Sequence, residues 1–572
     1  MLEKYIRAAR GEVKASVVLK NSTYIDVFNG KLRHGDIAVT DGRIVGVGGN
    51  YSGERELDCS RLTILPGYID SHVHIESSQL TPEEFASLVV PRGTTAVIAD
   101  PHEITNVCGF DGCRYILRAA RKVPLDVMLQ LPSCVPATPF ETNGAVLTAA
   151  DTEKYILSPT VNGLGEFMNY TGVIRCDGEA LKKLEAAHAS GKIIDGHAPS
   201  LTGAELNAYL CGGISTDHEC LDIREAEEKV SKGMYVQIRH GSSARNLSNA
   251  ECITPYNYRR FLLCTDDRHA EDLLTKGHID DALRRLVGEY DIDPVIAVAC
   301  ATLNAAECYN LKWRGAVAPF YFADLVAVED LRDFNAAFVM KNGEIVAKDG
   351  KALFSHSKRY LPEKVLNTVR LKRPLCAEDF ILKLKGSAAK TISVEKGGLV
   401  THAEICNIPS VGGDVAIKGS DILKLAVVER HKLTGNIALG LLKGYGFHGG
   451  AMGLSIAHDS HNIILIGDDN FALSQAANTL SRVGGGMVIV KSGGEIDVLP
   501  LDIGGLMSSE SAPEFVKKSA SLASLAYSMG VKEGYEPFMS LAFLSLGVIP
   551  ELKLLDRGLF DVSAFEFTDI DA

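Results

Sequence analysis

Apolar and polar residues alternate with a period of two in two widely separated stretches of this chain. The first is Asp36-Ile37-Ala38-Val39-Thr40-Asp41-Gly42-Arg43-Ile44-Val45-Gly46-Val47, interrupted at its centre by Asp-Gly. Residues i and i+2 of a strand face the same way, and Asp-Gly tolerates the positive φ of a two-residue turn, so the segment predicts a β-hairpin. The second, Phe338-Val339-Met340-Lys341-Asn342-Gly343-Glu344-Ile345-Val346-Ala347, repeats the pattern around Asn-Gly, and Asp324–Val328 predicts a strand before it. Two matching β segments around a long insertion predict one small β-sandwich domain, assembled from residues 1–65 and 310–375.

Within the insertion, residues 66–309, the pattern changes to short apolar runs separated by helix-like stretches such as Glu179–Ser190 and Ile223–Lys232. Strands that alternate with helices predict a parallel sheet. Eight runs end near His72–His74, Asp100, Ser133, Glu166, His197, His218, Arg239–His240 and Asp266. Eight such units in a span close to the ~250 residues of a closed barrel predict a TIM-type (β/α)8 fold of the α/β class. A basic, proline-containing stretch, Lys358–Pro374, reads as a linker. Beyond it, residues 376–572 read as a C-terminal α+β domain with hairpin-like segments such as Met487–Val498.

Composition narrows the setting. A net charge of −13 on 572 residues argues against nucleic acid or an anionic membrane as partner, because both are met by basic patches. Met1–Lys20 has no apolar stretch before a small-residue cleavage site, and no run of about 18 apolar residues occurs anywhere. The 13 cysteines scatter from Cys59 to Cys406 without a Cys-x-x-Cys pair, which reads as reduced thiols in core positions. A cytoplasmic protein with no membrane span is expected.

The polar residues at the strand ends carry the chemistry. His72-Val73-His74 projects two imidazoles from one face of the first strand, a grip suited to a metal ion. Glu166, His197, His218 and Asp266 follow at intervals of about one to three strand–helix units, which places all six at the C-terminal mouth of the barrel. A carboxylate such as Glu166 can bridge two cations and offset their repulsion. His197 and His218 would complete a second position, and Asp266 would serve the first. Asp70 and Asp217 are expected to orient ligand imidazoles through their N–H groups. Two ions sharing one water would lower its pKa towards neutrality. The ligand set requires only a divalent ion with nitrogen and oxygen donors, and admits Zn²⁺.

His-x-His on the first strand, a ligand on the fourth, single histidines on the fifth and sixth and Asp on the eighth resemble the amidohydrolase superfamily. Glu166 stands where many members carry a carboxylated lysine. The strings Ala99-Asp100-Pro101-His102-Glu103-Ile104, Gly165-Glu166-Phe167-Met168-Asn169, Asp195-Gly196-His197-Ala198-Pro199 and Cys264-Thr265-Asp266-Asp267-Arg268-His269 resemble more closely the adenine deaminases of bacteria and archaea. So do Gly446-Phe447-His448-Gly449-Gly450-Ala451-Met452-Gly453 and Ser455-Ile456-Ala457-His458-Asp459-Ser460-His461-Asn462, in the unusual extra C-terminal domain. The resemblance implies hydrolysis of adenine to hypoxanthine and ammonia with Mn²⁺ or Fe²⁺ as the metals; two divalent ions per chain and a homo-oligomer, a dimer being favoured, are expected. It implies Asp266 as general base and Glu103 as a second proton-transfer group. Arg239 and Ser242 are expected to contact the base, with His458 and His461 reaching the barrel mouth as a lid. Asp100 and Glu103 offer an additional metal position. The alternative within the superfamily is an N-acetyl-amino-sugar phosphate deacetylase, which also uses a Glu on the fourth strand.

Overall fold

The structure, a computed structural model, describes every residue except Ser243, 356–359 and 396–399. The start of the expected linker, Lys358 and Arg359, therefore lies outside the described residues. The chain forms two compact units. The first comprises Met1–Pro101, Ile116–Cys134 and Thr148–Arg359, and the second His102–Tyr115, Val135–Leu147 and Tyr360–Ala572.

In unit 1 the eight expected runs are strands: β1 (Tyr68–Val73), β2 (Thr94–Ala99), β3 (Asp126–Leu131), β4 (Val161–Phe167), β5 (Ile193–Gly196), β6 (Thr216–Asp217), β7 (Tyr235–Arg239) and β8 (Phe261–Cys264). β1 to β5 pair in order as one parallel sheet, and β6 to β8 as another. Two sets of backbone hydrogen bonds join them into a barrel. Ser215 N–H donates to Ile194 O between β5 and β6, and Asp266 N–H to His72 O between β8 and β1. The barrel strands are almost wholly buried, which explains their continuous apolar runs. The helix-like stretches are helices Gly178–Ser190 and Ile223–Ser231, capped by the carboxylates of Asp177 and Asp222.

The flanks of the chain meet in one nine-stranded sheet. Thr63–Pro66 is its joint, parallel to Ala15–Asp26 and antiparallel to Leu325–Val328. Both predicted hairpins are present with two-residue turns: Asp41 and Gly42 have φ of 49° and 78°, Asn342 and Gly343 φ of 50° and 83°. Positive φ at both central residues matches the strand twist, and Asn, Asp and Gly reach it at least cost. Leu19, Ile37, Val39, Ile44 and Ile64 share a core with Leu325, Ala327, Phe338 and Met340, so each flank buries the other's apolar face.

Unit 2 is built on an eight-stranded mixed sheet, on which the helix Asn470–Val483 buries Ala472, Leu473, Ala476, Ala477 and Leu480. The expected hairpin is present as Gly486–Lys491 antiparallel to Ile496–Pro500. The inserted segments are tied in by side chains: Thr142 N–H donates to Asp556 (2.9 Å), and Asn462 Nδ2 to Thr142 O (3.1 Å). Among the described residues no helix is long and apolar enough to cross a membrane, and every cysteine is free.

One buried charge in unit 2 has a measurable consequence. Lys553, on the strand Leu552–Leu555, is fully buried, and burial pushes its ammonium down to about 7. The unfolded chain binds this proton up to the ordinary lysine value of 10.5, so between about 7 and 10.5 stability rises with pH. Lys553→Met is expected to flatten that rise, which one group can make no steeper than about 1.4 kcal/mol per pH unit. Melting curves across that range test this; an unchanged alkaline slope would remove Lys553 as its source.

Candidate metal centre

The side chains singled out at the strand ends converge at the C-terminal ends of β1, β4, β5, β6 and β8. His72 and His74 point to one side of β1, as their i, i+2 spacing requires, and their Nε2 atoms lie 3.1 Å apart. Asp266 Oδ1 lies 3.0 Å from His74 Nε2 and 3.6 Å from His72 Nε2. The proton of His74 can be located. Its Nδ1 lies 2.7 Å from the carbonyl oxygen of Asp100, which only accepts, so Nδ1 carries the hydrogen and the Nε2 lone pair faces the cluster.

Glu166 stands between two groups of imidazoles. Its Oε1 is 3.4 Å from His74 Nε2, while its Oε2 is 2.8 Å from His197 Nδ1 and 3.3 Å from His218 Nε2. One carboxylate thus presents one oxygen to each group. Its place is set by Asp100, whose Oδ2 accepts the Glu166 N–H at 2.8 Å. A Cβ on Gly165 would stand 2.2 Å from that same oxygen, so glycine is needed beside the bridge. Tyr209 spans β4 and β5, donating its hydroxyl hydrogen to Phe167 O (2.8 Å) and accepting from His197 N–H (3.0 Å).

This donor set fits divalent ions. His72, His74 and Asp266 form one buried group whose candidate ligand atoms all lie within 4.8 Å of one another, and His72, Glu166 and His218 form another. Neutral imidazoles and carboxylates are the donors such ions take. Burial, followed by the neighbouring His218, pushes the His72 imidazole down to about 4, so it is neutral at physiological pH. Burial by itself would raise the Asp266 carboxyl. The Arg239 guanidinium beside it holds it well below the usual carboxylate range instead.

Two other residues were expected to contact a substrate base. The Arg239 guanidinium is engaged by carboxylates, with Nη1 2.5 Å from Asp266 Oδ2 and Nη2 3.2 Å from Glu219 Oε2. The Ser242 hydroxyl donates to Asp272 (2.7 Å) and accepts from His269 N–H (2.9 Å). The expected orienting residues take different partners. Asp70 accepts from Thr265 Oγ1 (2.5 Å) and from Thr265 N–H (3.1 Å), and pairs with the ring of His278 (2.9 Å), which is not in the cluster. Asp217 accepts from the buried ammonium of Lys229, one helical segment away. Both staple strand ends rather than ligand rings.

Glu219 escaped the sequence reading. Its Oε1 lies 3.4 Å from His218 Nε2 and 3.9 Å from His197 Nδ1. The available signal was its place directly after His218. Glu103, His458 and His461 belong to unit 2 and meet one another there. Asp100 belongs to unit 1.

A family model described as "Amidohydrolase family" matches residues 63–346, and one described as "Adenine deaminase C-terminal domain" matches 398–566. A protein named adenine deaminase from Clostridium acetobutylicum is 45% identical over 569 residues, covering 99% of each chain. The chain belongs to the adenine deaminase family. A second adenine deaminase, from Nitratidesulfovibrio vulgaris, is 45% identical over 574 residues, covering 100% of this chain and 99% of that one. Among solved structures, a β-aspartyl dipeptidase from Fervidobacterium islandicum is 17% identical, with a TM-score of 0.45 over 60% of this chain and 99% of that one. Adenine deaminase membership over the full length, C-terminal domain included, does not favour the amino-sugar deacetylase alternative.

Proposed function

We infer that this chain is an adenine deaminase: it hydrolyses adenine to hypoxanthine and ammonia. The observation that carries the reading is Glu166, one carboxylate with an oxygen turned to each of two imidazole groups, in a chain whose full-length relatives bear that name. In this reading His72, His74 and Asp266 hold one divalent ion, His197 and His218 hold a second, and Glu166 lies between them. Mn²⁺ or Fe²⁺ is the proposed metal. When bound, the ions supply Lewis-acid stabilisation of developing charge and a water acidic enough to react near neutral pH.

The chain's own groups handle the proton. Asp266, ionised beside Arg239, accepts the proton of the attacking water and passes it towards the departing amine. The C6–oxygen bond forms first and makes C6 tetrahedral; the C6–nitrogen bond then breaks, and the exocyclic amine leaves as ammonia with the proton taken from water. Arg239 keeps the Asp266 carboxylate charged and aimed, and Glu219 holds Arg239 from its other side. His74, fixed by the Asp100 carbonyl, keeps one tautomer throughout. The working form proposed is a cytoplasmic homodimer.

Protein loaded with Mn²⁺ is expected to release ammonia from adenine, and to do so faster than from other 6-substituted purines. An ammonia assay over a small purine panel tests this. Silence on adenine combined with deacetylation of an N-acetyl amino sugar phosphate would reverse the assignment.

A further inference from the structure

We propose that Glu103, His458 and His461 form a binding site for a divalent transition-metal ion within unit 2. The three side chains come from two distant parts of the sequence: the first turn of the helix His102–Cys108, and the loop between strands Gly450–Leu454 and Ile463–Gly467. All three are buried, and their candidate ligand atoms lie within 4.8 Å of one another. His458 Nδ1 is 2.8 Å from Glu103 Oε1, and His461 Nε2 meets Glu103 Oε2. Each carboxylate oxygen is thus faced by one imidazole nitrogen. His102 Nε2 approaches Oε1 from another side at 3.4 Å, and Asp459 Oδ1 lies 3.9 Å from His458 Nδ1. Two imidazoles and a carboxylate, with further donors within reach, form a ligand set used by zinc, ferrous and manganous ions.

The loop is braced as a ligand-bearing loop must be. The His458 ring stacks on Phe543, with ring centroids 4.6 Å apart and planes 16° from parallel, and the backbone N–H of His458 donates to Ala542 O (3.0 Å). The buried Arg430 donates Nε–H to His461 O and Nη2–H to Ser455 O (3.3 Å), clamping both ends of the histidine segment. His431 Nε2 lies 2.7 Å from Ser460 O, so it donates there, and the Ser460 hydroxyl donates to Glu141. A rigid surround of this kind fixes ring orientation before an ion arrives. Ligation through His461 Nε2 puts the ring hydrogen on Nδ1, so the long contact from Ala457 N–H, 3.4 Å, opens.

Metal content decides the matter without reference to turnover. Full-length protein, stripped with chelator, loaded with Zn²⁺ and desalted, is expected to lose one equivalent of zinc on Glu103→Gln and on His461→Ala. The double variant His72→Asn, His218→Asn is expected to keep that equivalent. The readout is the difference of one ion, so it stands whatever the barrel holds and whether or not adenine is the substrate. Equal zinc in wild type and folded Glu103→Gln protein overturns the proposal, as does a barrel variant that retains none. Should Glu103→Gln fail to fold, Co²⁺ added to the barrel variant with and without His461→Ala gives a second reading. Visible d–d absorption that His461→Ala removes supports a site in unit 2, and absorption that is absent or unchanged by His461→Ala overturns it.

Discussion

Glu166→Gln is expected to remove metal and activity together. The amide keeps the side chain's shape but loses its charge, and one of its two ends becomes an NH₂ group with no lone pair for an ion. Glu166 faces His74 with one oxygen and His197 and His218 with the other, so both proposed positions lose a donor at once. Two cations in a barrel mouth also lose the anion that offsets their repulsion, an interaction strengthened by burial. The expected fall in kcat is at least roughly 10³-fold, with metal content dropping in the barrel sites. His197→Asn should empty mainly one of the two. Metal analysis alongside ammonia release distinguishes them, and a Glu166→Gln protein with normal metal and turnover would sink the bridging role.

Most of what positions this centre could be read along the chain because it is local. The strand ends follow from apolar runs, and His72 and His74 share a side because strands repeat every two residues. The hairpins at Asp41-Gly42 and Asn342-Gly343 follow from the φ angles that Asp, Asn and Gly accept. What escaped is pairing across long sequence separations. Asp70 faces Thr265 and His278, and nothing near Asp70 in sequence announces either. Asp217 is claimed by Lys229 because helix Ile223–Ser231 folds back under the end of β6, bringing a buried ammonium to the nearest carboxylate. Arg239 pairs with Glu219 and Asp266 on the neighbouring strand ends, which nothing near Arg239 in sequence announces. The packing of 135–147 into unit 2 rests on contacts such as Thr142 with Asp556, which no periodicity encodes.

Asp266→Asn is expected to separate chemistry from metal binding. Asp266 has a φ of 55°, in the left-handed region that Asn tolerates nearly as well as Asp, so the backbone after β8 keeps its course. The amide oxygen can still face His72 and His74, as Oδ1 does at 3.6 Å and 3.0 Å. What disappears is the basic oxygen, Oδ2, which now lies 2.5 Å from Arg239 Nη1. A general base contributes roughly 10² to 10⁴ in rate, so kcat for adenine should fall by that factor while most of the metal remains. KM should change little, since the base acts on the proton in flight rather than on bound purine. Arg239 loses its ionised partner as well, and Glu219 alone then compensates its charge. If the effect came only from that lost pair, Arg239→Met would reproduce it in full. If Asp266 is the base, Arg239→Met should retain more activity than Asp266→Asn, because the carboxylate survives. Near-normal turnover in Asp266→Asn would remove Asp266 from the proton path altogether.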